Sequence, residues 1–219
     1  YIEREFFRDG DVNDPADEGL RPAATFRNAW LCVGTHRLGE YGLSYPAADF
    51  LESCQHPALG GVAVWRTDGP GEQIMDMGTT AAAVVAFLAA GRLEPARRAG
   101  DFLAGTLIKE QPEPDRRILL RTDGAGRWLT DFEEAEAGRH EIRVGEPGQV
   151  YWFLGNAMAA LGQLYLASGE ERYLKAGRAV FSWAEACAPG SFEDLTAAKV
   201  GWGASVLYAA TRERDFAEA

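Results

Sequence analysis

The residue with the clearest potential for chemistry is Asp76, an acid between two methionines directly before Gly78-Thr79-Thr80. An apolar setting raises the pKa of a carboxyl group towards values that suit a general acid or base. The same position also suits a helix N-cap, where aspartate is among the preferred residues. Asp76 is therefore predicted to be catalytic, with helix capping as the alternative.

Two other acids are candidate partners of Asp76. Hydrolysis, epimerisation and dehydration each need one group that gives a proton and another that takes it. Glu146, followed by Pro147 and Gly148, is the first predicted partner, and Asp131 is the second. A solvated loop is the alternative for Glu146, and the acidic run beside Asp131 is typical of a solvated surface. The predicted chemistry is acid–base catalysis by a pair of carboxyl groups.

Aromatic and histidine side chains supply further candidates. Tyr151 is a predicted catalytic residue, and Trp152 is predicted to bind substrate by stacking on a sugar ring or lining an apolar pocket; core packing is the alternative. His56 is the last catalytic candidate, with a hydrogen-bonded loop histidine as the alternative. Cys54 and His56 alone do not have the spacing of a zinc site, and neither a metal nor a cofactor is predicted.

Repeated pairs of helices are the elements that must position these residues. The segment AADFL at 47–51 returns as AGDFL at 99–103, and each copy follows an apolar, helix-like stretch. A third helical pair covers residues 151–186, and the first helix of a fourth pair begins near residue 196. This repetition predicts a succession of helical hairpins.

The two helices of a hairpin differ in polarity. Between residues 171 and 187, apolar residues recur at steps of three and four with charged residues between them, which is typical of an outer helix with one solvated face. The preceding helix is apolar all round, and Gly155, Ala159 and Gly162 would let neighbouring backbones approach closely. The pattern predicts a ring whose inner helices line a centre.

One stretch departs from the helical pattern. Residues 118–132 contain two short apolar runs around a DGAG turn at 123–126, which predicts a small β-hairpin inserted between ring elements. The polar, glycine-containing residues 133–149 are predicted to form a loop over the same rim.

The succession of hairpins resembles the α/α toroid of terpenoid cyclases, protein prenyltransferases and six-hairpin carbohydrate enzymes, which include glycoside hydrolases and sugar 2-epimerases. The fragment QHPALGGV at 55–62, with Trp65, is similar to a loop of the cyclase and prenyltransferase repeats. Residues 145–183 look more like the carbohydrate enzymes. The DxDD motif of class II cyclases and the prenyltransferase zinc ligands do not occur. The resemblance implies the fold but no particular activity.

In toroids of this kind the cavity usually opens at the N-terminal ends of the inner helices, which favour anions. Residues at or near those helices are therefore predicted to bind substrate together with Trp152: they are Met75, Phe87, Asn156, Lys199 and Trp202. Lys199 takes the register of Asn156 in the fourth repeat. It could orient a carboxylate or phosphate, or extend into solvent.

Composition limits the remaining possibilities. The 219 residues are 47% hydrophobic, enough for a sizeable core, and are predicted to form one domain over residues 1–219. With 22 basic and 33 acidic residues, the net charge of −11 argues against nucleic acid as a partner. The apolar stretches are too short to span a membrane. Three cysteines without close spacing predict a reducing, cytoplasmic location.

The leading hypothesis is an all-α enzyme, an (α/α) toroid of helical hairpins, complete or incomplete. It would act as a lyase, isomerase or cyclase on a small, largely apolar biosynthetic intermediate. One alternative is a carbohydrate-active hydrolase or epimerase. The other is a non-catalytic helical scaffold that binds a protein partner through its rim. A small-molecule substrate is expected, and the oligomeric state is left open.

Overall fold

A computed structural model of the chain describes residues 10–12, 24–188 and 197–218. Within them, the α-helices are α1 (Ala24–Arg37), α2 (Tyr41–Ser53), α3 (Met77–Ala89), α4 (Leu93–Phe102), α5 (Ala137–His140), α6 (Trp152–Ser168), α7 (Glu171–Ala186), α8 (Ala198–Thr211) and α9 (Asp215–Glu218). A π-helical turn, Leu103–Lys109, continues α4, and short 3₁₀ turns occupy Pro70–Glu72 and Glu134–Glu136. The predicted hairpins are therefore present as α1–α2, α3–α4 and α6–α7, with α8 beginning the fourth.

The inner helices are α1, α3, α6 and α8, and they pack side by side in that order. Every residue of α3 from Met77 to Phe87 is buried. The outer helix α7 instead buries one stripe, which includes Tyr173 and Val180, and exposes Glu171 and Lys175. Burial of one helix on all sides and of its partner on one side is what the polarity patterns predict.

Glycines allow α6 and α8 to pack with their backbones in contact. A Cβ atom on Gly155 would lie 2.1 Å from the carbonyl carbon and oxygen of Lys199. On the facing helix, a Cβ atom on Gly203 would lie 2.6 Å from the carbonyl oxygen of Gly155. The predicted close approach of inner helices is thus present, and it depends on the absence of side chains at these two positions.

Four short strands form two antiparallel pairs; one strand lies directly before α3, and the other three lie between the second and third hairpins. They are β1 (Met75–Asp76), β2 (Arg117–Leu119), β3 (Arg121–Thr122) and β4 (Glu141–Arg143); β1 pairs with β3, and β2 with β4. The predicted hairpin turn is present, because Thr122 bridges to Trp128 across residues 123–127. The apolar run at 118–120 pairs elsewhere, however. Its partner is β4, which lies in the segment predicted to be a loop.

The loop after α2 docks on the start of α4. Gln55 Nε2 donates to the carbonyl oxygens of Gly60 and Pro95, at 2.9 and 3.0 Å. His56 is buried, and its Nδ1 accepts hydrogen bonds from the backbone N–H groups of Ala58 and Leu59, at 3.2 and 3.0 Å. These contacts match the alternative for His56, a loop histidine held by hydrogen bonds.

All three cysteines, Cys32, Cys54 and Cys187, are free and buried. Burial raises the pKa of each thiol from 9.0 to about 11, despite smaller opposing effects at Cys32 and Cys54. The native state therefore holds its thiol protons more tightly than the unfolded chain does. The contribution of these thiols to the free energy of unfolding is fully present below pH 9 and is lost as the pH rises towards about 11.

The thiolate is the reactive form of cysteine, so the native chain is expected to resist alkylation. At pH 8, iodoacetamide should label the folded chain slowly and label all three cysteines quickly in guanidinium chloride. Mass spectrometry of the intact chain measures both rates. Equal rates in the two states would contradict the burial of the thiols.

The described residues lack the features of a membrane span and of a metal site. No helix in them combines the length and apolar character that crossing a bilayer requires. The same residues contain no group of three or more His, Cys, Asp or Glu side chains arranged to hold a metal ion.

Candidate functional site

The inner helices run parallel, so their N-terminal ends share one rim of the molecule. Near its start, α6 meets the starts of two neighbours: a Cβ atom on Gly78 would lie 2.7 Å from the Trp152 ring, and Gly155 packs on the Lys199 backbone. Trp152 also contacts Phe26, in the first turn of α1. Residues in the first two turns of these helices are therefore close together. These helix ends also carry unpaired N–H groups and the positive end of the helix dipole.

Four aromatic residues meet at this rim and are called the aromatic cluster: Phe26, Trp30, Trp152 and Trp202. The ring centroids of Phe26 and Trp152 are 5.3 Å apart, and those of Trp30 and Trp202 are 5.9 Å apart. Phe26 and Trp30 are joined edge to face at 6.0 Å. All four side chains are only half-buried. They link α1, α6 and α8 and leave aromatic surface accessible.

Lys199 lies between two rings of the aromatic cluster. Its Nζ atom is 4.2 Å from the Trp30 ring centroid and 5.2 Å from that of Trp202, distances typical of cation–π contacts. Burial lowers the pKa of this ammonium group. Among the described residues, no carboxylate lies within ion-pairing distance of Lys199.

Asn156 lies one helical turn beyond Trp152, on the same side of α6. The residue is 1% exposed, and neither its Oδ1 nor its Nδ2 has a hydrogen-bond partner within residues 10–12, 24–188 and 197–218. Buried amides in proteins almost always have partners, because an unpaired buried polar group is costly. Asn156 is therefore an unsatisfied polar group just below the aromatic cluster.

Asp76 is held by two contacts that engage both carboxylate oxygens. Its Oδ1 accepts a hydrogen bond from the Thr79 backbone N–H at 2.6 Å, so it is the N-cap of α3. Its Oδ2 lies 3.6 Å from Arg121 Nη2, and both side chains are buried. The predicted alternative of helix capping is thus realised. Met75 and Phe87, predicted to bind substrate, are fully buried members of the hydrophobic core.

Of the other predicted catalytic residues, Tyr151 is buried in the hydrophobic core, which matches its core-packing alternative, whereas Glu146 and Asp131 lie on the surface. Glu146 is exposed, and Tyr151 Oη donates a hydrogen bond to its carbonyl oxygen at 2.8 Å, which fixes the Glu146 loop directly before Trp152. Asp131 is also exposed. Among the described residues, no hydrogen bond or ion pair joins the Asp76 side chain to the side chain of Glu146 or Asp131.

A polar cleft of about 390 Å³ lies beside β2 and β4, and its charges pair in a chain. Arg117 Nε is 3.2 Å from Glu113, and Arg117 Nη1 is 3.5 Å from Glu141. Arg143 continues the chain, at 2.7 Å from Glu141 and 4.0 Å from Glu146. Because acids and bases alternate, this cleft offers a ligand little uncompensated charge.

The structure brings together one part of the predicted site. Trp152, Asn156, Lys199 and Trp202 share the rim, whereas His56 lies in the loop after α2. Trp30 and Phe26 are cluster members that sequence reasoning missed. The sequence could have indicated these two residues, because they occupy the first two turns of an inner helix, as Trp152 and Trp202 do. The Arg121 partner of Asp76 was also missed.

Comparison with known proteins identifies the fold. Neither a protein-family model nor a curated protein sequence matches the chain. Among solved structures, a D-mannose isomerase is similar with a TM-score of 0.63 and 13% identity, over 89% of this chain and 57% of that one. The GH76 α-mannanase of Bacteroides thetaiotaomicron is similar with a TM-score of 0.60 and 16% identity, over 88% of this chain and 54% of that one.

The chain has the α/α-toroid fold. It spans little more than half the length of each of these two proteins. The predicted toroid fold and the all-α fold class are therefore confirmed. Within this toroid, the aromatic cluster occupies the N-terminal rim of the inner helices, and three of the four small strands lie between its second and third hairpins.

Proposed function

We propose that this toroid is a carbohydrate-active enzyme that binds a sugar at the aromatic cluster and acts as a hydrolase, isomerase or epimerase. The observation that carries the proposal is the convergence of four half-buried aromatic rings from three inner helices on one rim. The two similar structures, named as a D-mannose isomerase and an α-mannanase, add support for sugar as the substrate class.

The physical match between cluster and sugar has two parts. A pyranose ring has apolar C–H faces, which pack on the faces of indole rings such as those of Trp152 and Trp30. Its hydroxyl groups need hydrogen-bond partners in a site that excludes water, and the unpartnered Asn156 amide can donate to one hydroxyl and accept from another. A sugar would satisfy both the aromatic surface and the buried amide.

The leading hypothesis from the sequence, a cyclase or lyase acting on an apolar intermediate, has less support. An apolar intermediate would leave the Asn156 amide and the Lys199 ammonium group desolvated without new partners. The catalytic roles of Asp76, Glu146, Asp131, Tyr151 and His56 stay predictions. Of these residues, Glu146 has the best position, because it is exposed and its loop is tied to Tyr151 directly before Trp152.

The domain and location of the chain belong to the same proposal. We infer one toroid domain over residues 1–219, which is consistent with the continuous packing of neighbouring inner helices. A cytoplasmic location is supported by three cysteines that are all unpaired, as expected in a reducing compartment.

Loss of the Trp152 ring is expected to weaken sugar binding about tenfold, since an aromatic stacking contact is worth about 0.5–1.5 kcal/mol beyond area burial. Isothermal titration calorimetry of the 219-residue chain with D-mannose and mannotriose measures the change in the variant Trp152→Ala. Trp183→Ala is the matched control, because Trp183 is also half-buried but lies on the outer helix α7. This control should bind sugar as the parent chain does.

Two results would overturn the proposed function: no sugar binding by the parent chain, or equal losses in Trp152→Ala and Trp183→Ala. Proton NMR of the incubated sugars separates the reaction classes. A hydrolase shortens mannotriose and releases new reducing ends, whereas an isomerase or epimerase converts D-mannose without cleavage.

A further inference from the structure

We propose that the sugar bound at the aromatic cluster carries an anionic group and that Lys199 binds this group. The inference rests on the proposed function and adds the charge of the substrate to it. It follows from the position of Lys199, from the absence of an acidic partner among the described residues, and from the unsatisfied Asn156 amide beside it.

The position of Lys199 is unfavourable for a cation unless an anion binds there. Lys199 is the second residue of α8, where the helix dipole disfavours positive charge. The side chain is half-buried between Trp30 and Trp202, so the ammonium group has lost part of its hydration. The cation–π contacts offset only part of these costs. An anionic ligand would relieve both.

Because the chain is acidic, the lack of an acidic partner at Lys199 among the residues that the structure describes supports an anionic ligand there. Acidic residues outnumber basic ones by 33 to 22, and most described arginines form ion pairs with them. Lys199 has no such partner among the described residues, although acids are abundant on the surface. An uncompensated cation between two aromatic rings is a suitable binding group for an anion.

Asn156 gives independent evidence that a polar ligand enters beside Lys199. Gly155, its neighbour in α6, packs directly on the Lys199 backbone, so Asn156 and Lys199 lie at the same level of the helix pair. Asn156 shares the face of α6 that carries Trp152, and both polar atoms of its amide lack partners in the described part of the chain. A sugar hydroxyl group can pair with that amide while its anionic substituent pairs with Lys199.

The ammonium group of lysine is a compact point charge with three donors and has no built-in preference between a carboxylate and a phosphate. A uronic acid and a sugar phosphate therefore present the same chemistry to Lys199. The shared feature is a negative charge on a sugar ring. Experiment distinguishes whether a carboxylate or a phosphate carries that charge.

Calorimetric titration of the 219-residue chain with D-mannose, D-mannuronate and D-mannose 6-phosphate tests the inference. We expect at least one anionic sugar to bind about tenfold more tightly than D-mannose, and this preference should shrink as sodium chloride is added. The preference for mannuronate or for the phosphate identifies the anion. Lys199→Met should abolish the preference, and Lys175→Met, at an exposed lysine on α7, should retain it.

A variant of Asn156 separates ligand binding from a structural role, because affinity and thermal stability are expected to change differently. Asn156→Leu removes an amide that has no partner, so the thermal midpoint should stay equal or rise while the affinity for the preferred sugar falls. Equal or tighter binding of D-mannose, or an undiminished preference in Lys199→Met, would overturn the inference and leave the proposed function intact. Failure of these three sugars and of mannotriose to bind would overturn both.

Discussion

Asp76→Asn is expected to lower the free energy of unfolding by about 3 kcal/mol. Asp76 and Arg121 lie opposite each other in the β1–β3 pair, and their side chains form a buried ion pair. Asparagine can keep the N-cap hydrogen bond to Thr79 but loses the charge, which leaves the Arg121 guanidinium group buried without its counter-ion. Removing one partner of a buried pair costs about 3–5 kcal/mol; the 3.6 Å separation places this pair at the lower end.

Urea denaturation followed by circular dichroism measures this loss. Arg121→Met should cost a similar amount, and the double variant should cost less than the sum, because the second change removes the stranded charge. Glu213→Gln is the control, since it breaks an exposed ion pair with Arg178 and should cost less than about 1 kcal/mol. An unchanged stability of Asp76→Asn with abolished turnover would contradict the structural role and assign Asp76 to catalysis.

Gly155→Ala is expected to destabilise the chain by about 2–3 kcal/mol. The added Cβ atom would lie 2.1 Å from the carbonyl carbon and oxygen of Lys199 and 2.4 Å from the Val200 nitrogen. All three are backbone atoms of α8, so the helices must separate to admit the methyl group. The helix propensity of alanine, about 1 kcal/mol better than that of glycine, offsets only part of this cost.

Gly201→Ala is the matched control for Gly155→Ala on the facing helix. A Cβ atom on Gly201 would have no other atom within 4 Å, so only the gain in helix propensity remains, about 0.5–1 kcal/mol of added stability. Urea denaturation of the two variants compares them directly. Equal stabilities of Gly155→Ala and Gly201→Ala would contradict the direct packing of α6 on α8.

Sequence periodicity predicted the helices well because residues three and four positions apart share a helix face and are buried or exposed together. The apolar α6 and the two-faced α7 follow from residue types spaced three and four apart, and the close packing at Gly155 follows from small residues on one face. The pairing of β2 with β4 was not predictable in the same way. It joins segments more than twenty residues apart, and two- to three-residue strands carry too little pattern to show their partner.

The candidate site was predictable to the extent that its residues share a helix register. Trp152 and Asn156 are one turn apart on α6, and the repeat alignment placed Lys199 on the corresponding part of α8. The ion pair of Asp76 could not be found from the sequence, because Arg121 reaches it only through the pairing of β1 with β3. Similarly, the contact of Trp30 with Trp202 depends on the curvature that brings α1 back to α8.

A crystal structure of the chain with bound mannotriose or the preferred anionic sugar tests the role of the aromatic cluster most directly. We predict a sugar ring stacked on at least one of Trp30, Trp152 and Trp202, with a polar atom of the ligand hydrogen-bonded to the Asn156 amide. A sugar found only in the polar cleft beside Arg117 and Arg143, with the aromatic cluster empty, would contradict the proposed function.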